Sequence, residues 1–144
     1  MNTQTKESQN NFIHMVFFWL KDTSHKQVDA FKNRTISFLD QVKSIASYHV
    51  GIPATTDRPI IERSYTVALV VTFKDKKEHD IYQEHEAHKH FIDDCQHLWD
   101  SVKVFDTNKW KSIKLAYKSH CMGNIHIFWD HGSDRREFQD PKFR

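Results

Sequence analysis

The stretch FIHMVFFWL, residues 12 to 20, is apolar on both of its alternating faces. Its β-branched and aromatic residues are typical of a strand, in which successive side chains point to opposite sides. The two faces are Ile13, Met15, Phe17 and Trp19 on one side, and His14, Val16, Phe18 and Leu20 on the other. We therefore predict a strand that is buried on both sides.

After this strand the apolar periodicity alternates between helical and extended patterns. A long amphipathic helix is predicted from His25 to Ala46, with Asp22, Thr23 and Ser24 as candidate caps. Asp75 followed by Glu78 resembles a capping pair for a later helix. The other predicted elements are strands at Tyr48 to Ile52 and Tyr65 to Phe73, helical stretches from Asp75 through Tyr82 and from Ala87 to Trp99, and a strand at Val102 to Phe105.

This order of elements predicts an α+β fold of the ferredoxin-like, split βαβ type, with a four-stranded antiparallel sheet and helices on one face. The other sheet face also needs a cover, because its side chains are apolar too. Leaving about four large apolar side chains exposed would forgo roughly 1.5 to 3 kcal/mol each. We therefore predict a homodimer in which the same sheet face of a second copy supplies the cover.

The composition argues against several classes of protein. Lys and Arg total 21 against 19 Asp and Glu, so the net charge of +2 gives no reason to expect nucleic acid as a partner. The longest apolar run, Met15 to Leu20, is too short to span a bilayer, and no membrane association is predicted. With 3 glycines there is no nucleotide-binding motif, and no cofactor is predicted. The 2 cysteines form no CxxC motif and the N-terminal residues do not resemble a signal peptide, so a cytoplasmic protein is expected.

Three regions of the chain are expected to behave differently. Residues 1–11 are predicted to be a disordered N-terminal segment, 12–106 the folded domain, and 107–144 a C-terminal extension of unknown role. In the extension, Ile125 to Trp129 could add an edge strand, and Ser133 onward has a flexible composition. Packing on the domain or on its partner is the simpler interpretation for four apolar side chains, Trp110, Ile113, Leu115 and Tyr117, whereas a basic binding arm is the alternative.

Four separated motifs occur in the same order as in a known family. They are IHMVFFWLKD, VGIPATTDRPIIERSYTVALVVTFKD, YQEHEAHKHF and LWDSVKVFD, and they extend from about Ile13 to Asp106. These motifs resemble the stress-responsive A/B barrel (Dabb) family. The resemblance implies a ferredoxin-like protomer that pairs sheet to sheet with a second copy, forming a dimeric α+β barrel.

The resemblance also implies a pocket between the sheet and the helices. In olivetolic acid cyclase, a plant member of the family, such a pocket carries out aldol chemistry, and its catalytic positions look like Tyr82, His88 and His14 here. Two further polar groups of that pocket have no counterpart, because Val67 and Thr35 stand near their positions. The apolar, ligand-binding wall would consist of Val16, Phe18, Leu69, Phe91, Trp99, Val102 and Val104.

Each candidate residue also has a structural interpretation. A His with a pKa near its usual value of about 6.5 can act as acid or base at neutral pH, and a nearby Tyr hydroxyl could orient a carbonyl. Alternatively, Tyr82 and His88 cap the break between two helices by bonding to backbone groups. His14, in a strand buried on both sides, could equally be a core histidine with satisfied hydrogen bonds.

No metal site is predicted from the histidine-rich segments. HEAH, residues 85–88, is one residue short of the HExxH spacing that places two imidazoles on one helical face. The histidines of this helical region are interpreted as part of a solvated polar face, namely His79, His85, His88, His90 and His97. A second set in the extension, with spacing that matches no zinc pattern, contains His120, Cys121, His126 and His131.

Three classes of function follow from these observations. The first is a small-molecule-binding or stress-associated barrel without assigned chemistry, which would take a small apolar or aromatic ligand. The second is a cofactor-independent enzyme, either a polyketide-type cyclase or a monooxygenase, that uses the His and Tyr pocket. The third is a structural interaction module, which would have no cavity.

Overall fold

The computed structural model describes residues 10–110, in which an antiparallel sheet carries helices on one face. Its elements are β1 (Phe12–Leu20), α1 (His25–Leu39), β2 (Ser47–Gly51), β3 (Val67–Phe73), α2 (Lys76–Glu84), α3 (Glu86–Cys95), a short 3-10 turn (Gln96–Leu98) and β4 (Trp99–Asn108). The strand order is β2-β3-β1-β4, and each neighbouring pair is antiparallel. The predicted α+β, ferredoxin-like, split βαβ fold is confirmed.

The helix-covered face of the sheet holds the core. Alternate residues of β1, from Phe12 to Leu20, are buried on this side, as are the β3 residues whose side chains share it. Helix α1 adds Phe31 and Phe38, and Phe38 stacks on Phe91 of α3 with 4.4 Å between ring centroids. Each of these large side chains contributes about 1.5 to 3 kcal/mol when it is fully buried.

The opposite sheet face is only half-buried within one chain. Met15 and Phe17 of β1 are half-buried on this side, and Phe105 of β4 is 51% exposed. Aromatic contacts with Phe17 come from Tyr65 and Phe105, at 5.0 and 6.0 Å between ring centroids, rather than from a helix within residues 10–110. The second face of β1 is therefore apolar, as predicted, and open to a partner.

Helix α1 is shorter than predicted. It ends at Leu39, whereas the apolar periodicity extended the prediction to Ala46. Beyond it, three-residue turns replace the helical hydrogen bonds, with Val42 N donating to Leu39 O at 3.1 Å and Ile45 N donating to Val42 O at 3.3 Å. These turns still bring apolar side chains to the core, so the spacing of apolar residues in the sequence resembles that of a helix. The chain itself reverses here toward β2.

The strand limits also differ from the predicted ones. Strand β3 begins at Val67 rather than Tyr65, and β4 extends from Trp99 to Asn108 rather than from Val102 to Phe105. Strand β4 is longer because it pairs along the full length of β1. Its first residue lies in the region that helical spacing had assigned to the preceding helix.

The predicted cap at Asp75 is confirmed. Its carboxylate accepts a hydrogen bond from the Glu78 backbone N–H at 3.1 Å, at the start of α2. Ser24 occupies the corresponding position of α1, but its side chain makes no capping hydrogen bond. A side-chain hydrogen bond therefore caps the start of α2, and the side chain of the N-cap residue makes none at the start of α1.

We expect Asp75→Ala to lower the free energy of unfolding by about 1 kcal/mol, because the first turn of α2 loses a hydrogen-bond acceptor for one of its free N–H groups. Ser24→Ala is the matched control and should change the stability much less. Urea unfolding followed by circular dichroism measures both. Equal losses in the two variants would contradict the assignment.

Several predictions concern residues that lie outside the described range. These are the predicted disorder of most of residues 1–11, the edge strand predicted at Ile125 to Trp129, the flexibility predicted from Ser133, and the histidine and cysteine set of the extension. Asn11 is described, and its backbone bonds to Phe73 and Lys109 at 3.1 and 2.7 Å. Among the helices of residues 10–110, none is long and apolar enough to cross a membrane.

Candidate functional site

One cavity of about 240 Å³ lies between the sheet and helices α2 and α3. The structure brings around it every site residue that the sequence analysis singled out, namely Val16, Phe18, Leu69, Phe91, Trp99, Val102 and Val104, together with His14, Tyr82 and His88. Gln83, Ile92 and Asp106 complete the lining and were not predicted.

The register between β1 and β4 explains how the strands supply one wall. Residues directly opposite each other on neighbouring strands place their side chains on the same face. The facing pairs are His14 with Asp106, Val16 with Val104, and Phe18 with Val102. Polar side chains therefore lie at one end of this wall and apolar ones at the other.

The break between α2 and α3 supplies the opposite wall. His85 stands at the break with an extended backbone, φ −67° and ψ 135°, and its Nδ1 accepts a hydrogen bond from Ala87 N at 3.1 Å. Tyr82 lies just before the break, while His88 and Phe91 lie one turn apart just after it. The change of helix direction turns side chains from both helices toward the same cavity.

His14 is buried and paired. Its Nδ1 lies 2.6 Å from Asp106 Oδ1, and its side chain is 5% exposed, compared with 43% for Asp106. The carboxylate is acceptor-only when ionised, so the imidazole donates through Nδ1. His14 is therefore a core histidine with a satisfied nitrogen and also a cavity-lining group, so both interpretations of the sequence describe part of its environment.

Tyr82 is the largest of the fully buried side chains. Its ring lies 5.6 Å from that of His14 and 4.6 Å from that of His88, measured between centroids. Burial raises the pKa of the Tyr82 hydroxyl far above its usual value, and the negative charge of Asp106 adds to the effect. The hydroxyl therefore stays protonated at neutral pH and can donate a hydrogen bond.

His88 has a defined tautomer. Its Nδ1 lies 3.2 Å from the Gln83 carbonyl oxygen, which can only accept, so the proton is on Nδ1 and the lone pair on Nε2. Burial lowers the pKa of His88, although the bond to Gln83 opposes this, and the nearby His14 and His79 lower it further. A neutral imidazole with a free Nε2 lone pair is the form that can accept a proton.

The capping interpretation of this segment is correct in part. His85, rather than His88, caps α3 with its side chain. His88 nevertheless bonds the Gln83 carbonyl of the last turn of α2, so it also fixes the break. The Nδ1 of His88 therefore has a structural role, and its Nε2 is available to accept a proton.

His79 does not belong to a solvated face, which corrects the prediction for this residue. It is 7% exposed, and its ring lies 5.0 Å from that of His14 and 4.5 Å from that of Phe12. His79 lies three positions before Tyr82, so helical spacing places both on the buried side of α2. That spacing was the signal that could have identified His79, and the β1 to β4 pairing was the signal for Asp106.

The other histidines of this region differ from one another. His90 and His97 are exposed, as predicted for a solvated face, and His85 and His88 are half-buried. The histidines of this region therefore lie in two environments, exposed and partly buried. Of the four named here, His88 lines the cavity of the candidate site.

A wider groove of about 890 Å³ lies between α1 and α3. Polar and charged side chains form much of its lining, including Arg34, Glu86, His90 and Asp94. Of the predicted site residues it contains only Phe91. This groove opens broadly to solvent, and neither His14 nor Tyr82 lines it. We therefore place the candidate site in the smaller cavity.

Comparison with known proteins identifies relatives by sequence and by fold. The sequence model of a family described as "Stress responsive A/B Barrel Domain" matches residues 12–109. No curated protein matches the sequence. The matched residues include all the strands and helices described above.

Solved structures with this fold come from several organisms. A Dabb family protein with a ferredoxin-like fold from Mesorhizobium loti is 20% identical, with a TM-score of 0.59 over 69% of this chain and 97% of that one. A dimeric ferredoxin-like protein of unknown function from Thermobifida fusca is 16% identical, with a TM-score of 0.56 over 68% and 90%. The hydroxynitrile lyase of Passiflora edulis is 15% identical, with a TM-score of 0.59 over 72% and 97%. At these identities the similarity concerns the fold.

Proposed function

Because the chain belongs to the stress-responsive A/B barrel domain family, we propose that it is a homodimeric protein that binds a small aromatic or apolar ligand in the cavity between its sheet and helices. The observation that carries the proposal is the convergence of aromatic walls and a polar end on one cavity. Such a combination is typical of small-molecule sites.

The dimensions and walls favour a ligand with a single aromatic ring. A cavity of roughly 150 Å³ accommodates benzene, so about 240 Å³ leaves room for a ring with a few substituents. Phe18, Phe91 and Trp99 offer aromatic surfaces to such a ring. The Tyr82 hydroxyl would then donate to an oxygen substituent, such as that of a phenol or an aryl ketone, and the His88 Nε2 would accept a hydrogen bond from a phenol.

The homodimer is part of this proposal. It is supported by the half-buried apolar sheet face and by the dimeric ferredoxin-like protein of similar fold. A cytoplasmic location is also proposed, supported by a buried free thiol at Cys95. Neither nucleic acid nor membrane is proposed as a partner.

Binding to a panel of single-ring phenols and aryl ketones tests the proposed function. Wild type should bind members of the panel, and Val104→Trp should weaken binding at least 10-fold, because its indole would occupy the cavity mouth, where Val104 is 51% exposed. Ile81→Trp is the matched control, because Ile81 is also exposed and lies outside the cavity lining. Isothermal titration calorimetry measures all three proteins. If Val104→Trp bound as tightly as wild type, the cavity would not be the binding site.

A second candidate function, a cofactor-independent enzyme, is favoured by one specific observation. The tautomer of His88 leaves a lone pair on Nε2, and the His88 ring lies 4.6 Å from the ring of the protonated Tyr82, measured between centroids. This pair could remove a proton next to a carbonyl while donating a hydrogen bond to the carbonyl oxygen. The Passiflora edulis hydroxynitrile lyase is an enzyme with a similar fold. Polyketide-type cyclisation and monooxygenation are the two reaction classes we propose for this alternative.

A further inference from the structure

We propose that His14, His79 and Asp106 form a binding site for a divalent transition-metal ion at the polar end of the cavity. One potential ligand atom from each residue lies within 4.8 Å of the other two. The three side chains come from β1, α2 and β4, so the fold rather than a local sequence motif brings them together. This explains why no metal spacing is visible in the sequence.

The geometry requires only a small adjustment. Bonds of about 2.0 to 2.2 Å from an ion to nitrogen and oxygen place its ligand atoms roughly 3 to 3.5 Å apart. The three atoms lie within 4.8 Å of one another, so no separation exceeds the required one by more than about 1.3 to 1.8 Å, and Asp106 has room to adjust because its side chain is 43% exposed. His14 and His79 are packed ring to ring, and both are buried.

His79 takes no part in the hydrogen bond between His14 and Asp106. Its Nδ1 is buried and lies 3.7 Å from Asp80 Oδ1, too far for a hydrogen bond, and no hydrogen-bond partner for it lies within residues 10–110. A buried polar atom without a partner is unusual and points to an absent ligand.

The ligand set indicates the class of ion. Two imidazoles and one carboxylate suit Zn²⁺, Co²⁺ or Fe²⁺ better than Mg²⁺ or Ca²⁺, which prefer oxygen ligands. Three protein ligands leave at least one position open, and that position would face the cavity, because His14 and Asp106 line it. The Gln83 amide lies 3.0 Å from the His79 Nε2, and with its oxygen turned toward the ring it would accept the Nε2 proton and leave the Nδ1 lone pair for the ion.

Metal titration of the untagged, full-length protein tests the site. After chelator treatment, wild type should bind one equivalent of Co²⁺ with a visible absorption band, and Zn²⁺ should displace it. His79→Phe should weaken this binding at least 10-fold, since it removes a ligand while keeping an aromatic ring beside Phe12 and Phe73. Asp106→Asn, at an exposed position, is the second variant and should weaken it as well. His90→Ala is the control and should bind Co²⁺ as wild type does.

The proposal is overturned if wild type shows no Co²⁺ band, or if His79→Phe and Asp106→Asn both retain it at wild-type affinity. Circular dichroism establishes that each variant is folded, and Asp106→Asn decides the result if His79→Phe fails to fold. The titration contains no aromatic compound, so its outcome is independent of whether the cavity binds the phenols and ketones described above.

Discussion

Val70→Asp should dissociate the proposed homodimer. Val70 lies opposite Met15 on β1 and His49 on β2, and its side chain is on the open sheet face. An unpaired charge enclosed in an interface costs about 3 to 5 kcal/mol, which corresponds to an increase of roughly 100-fold or more in the dissociation constant. Light scattering with size-exclusion chromatography at micromolar concentration would detect the loss of the dimer.

The structure distinguishes this position from its neighbour. Val71 is fully buried on the helix-covered face, so Val71→Asp would damage the core instead of testing assembly. Ile81→Asp is a suitable control, because Ile81 is 46% exposed on α2 and the charge should remain solvated. A folded monomer for wild type, or an intact dimer for Val70→Asp, would contradict the proposed assembly.

His88→Ala should reduce any turnover by about 100- to 10,000-fold, the range expected for loss of a positioned acid or base. The pH dependence of turnover by wild type should also reflect the titration of His88. Because burial lowers the pKa of His88, the active neutral form persists below pH 6.5 and is lost as the pH falls through the lowered pKa. Steady-state kinetics between pH 5 and 8 measure both effects once a substrate has been found.

His90→Ala is the matched control for this prediction, because His90 lies on the same helix and is exposed. His85 is a poorer control, since its side chain caps α3 and its loss should reduce stability. If His88→Ala retained turnover but lowered the melting temperature by several degrees, its bond to Gln83 would be its only role. The enzyme alternative would then be wrong.

The fold was predictable because its main signals are local. The two apolar faces of Phe12–Leu20 indicated a strand that is covered on both faces, and its limits were predicted correctly. Asp75 and Glu78 indicated the start of α2. The apolar cavity wall followed from the family resemblance, and the β1 to β4 register places those side chains on one face.

The features that were missed depend on contacts between distant parts of the chain. Asp106 joins the site only through its pairing opposite His14 on another strand. His79 looks like one more polar residue in a charged helix until the buried Tyr82 defines the inner side of that helix. The end of α1 was missed because Val42 remains buried after the helix stops, so the apolar spacing continues through the turns.

The most direct test of ligand binding in the cavity is a nuclear Overhauser measurement on methyl-labelled protein saturated with an aromatic compound from the panel. The account predicts contacts between the ring protons of the compound and the methyl groups of Val16, Leu69 and Val104, all of which line the cavity. Contacts to Val70 or Ile81 instead, or no contacts to the cavity methyl groups at saturation, would contradict it.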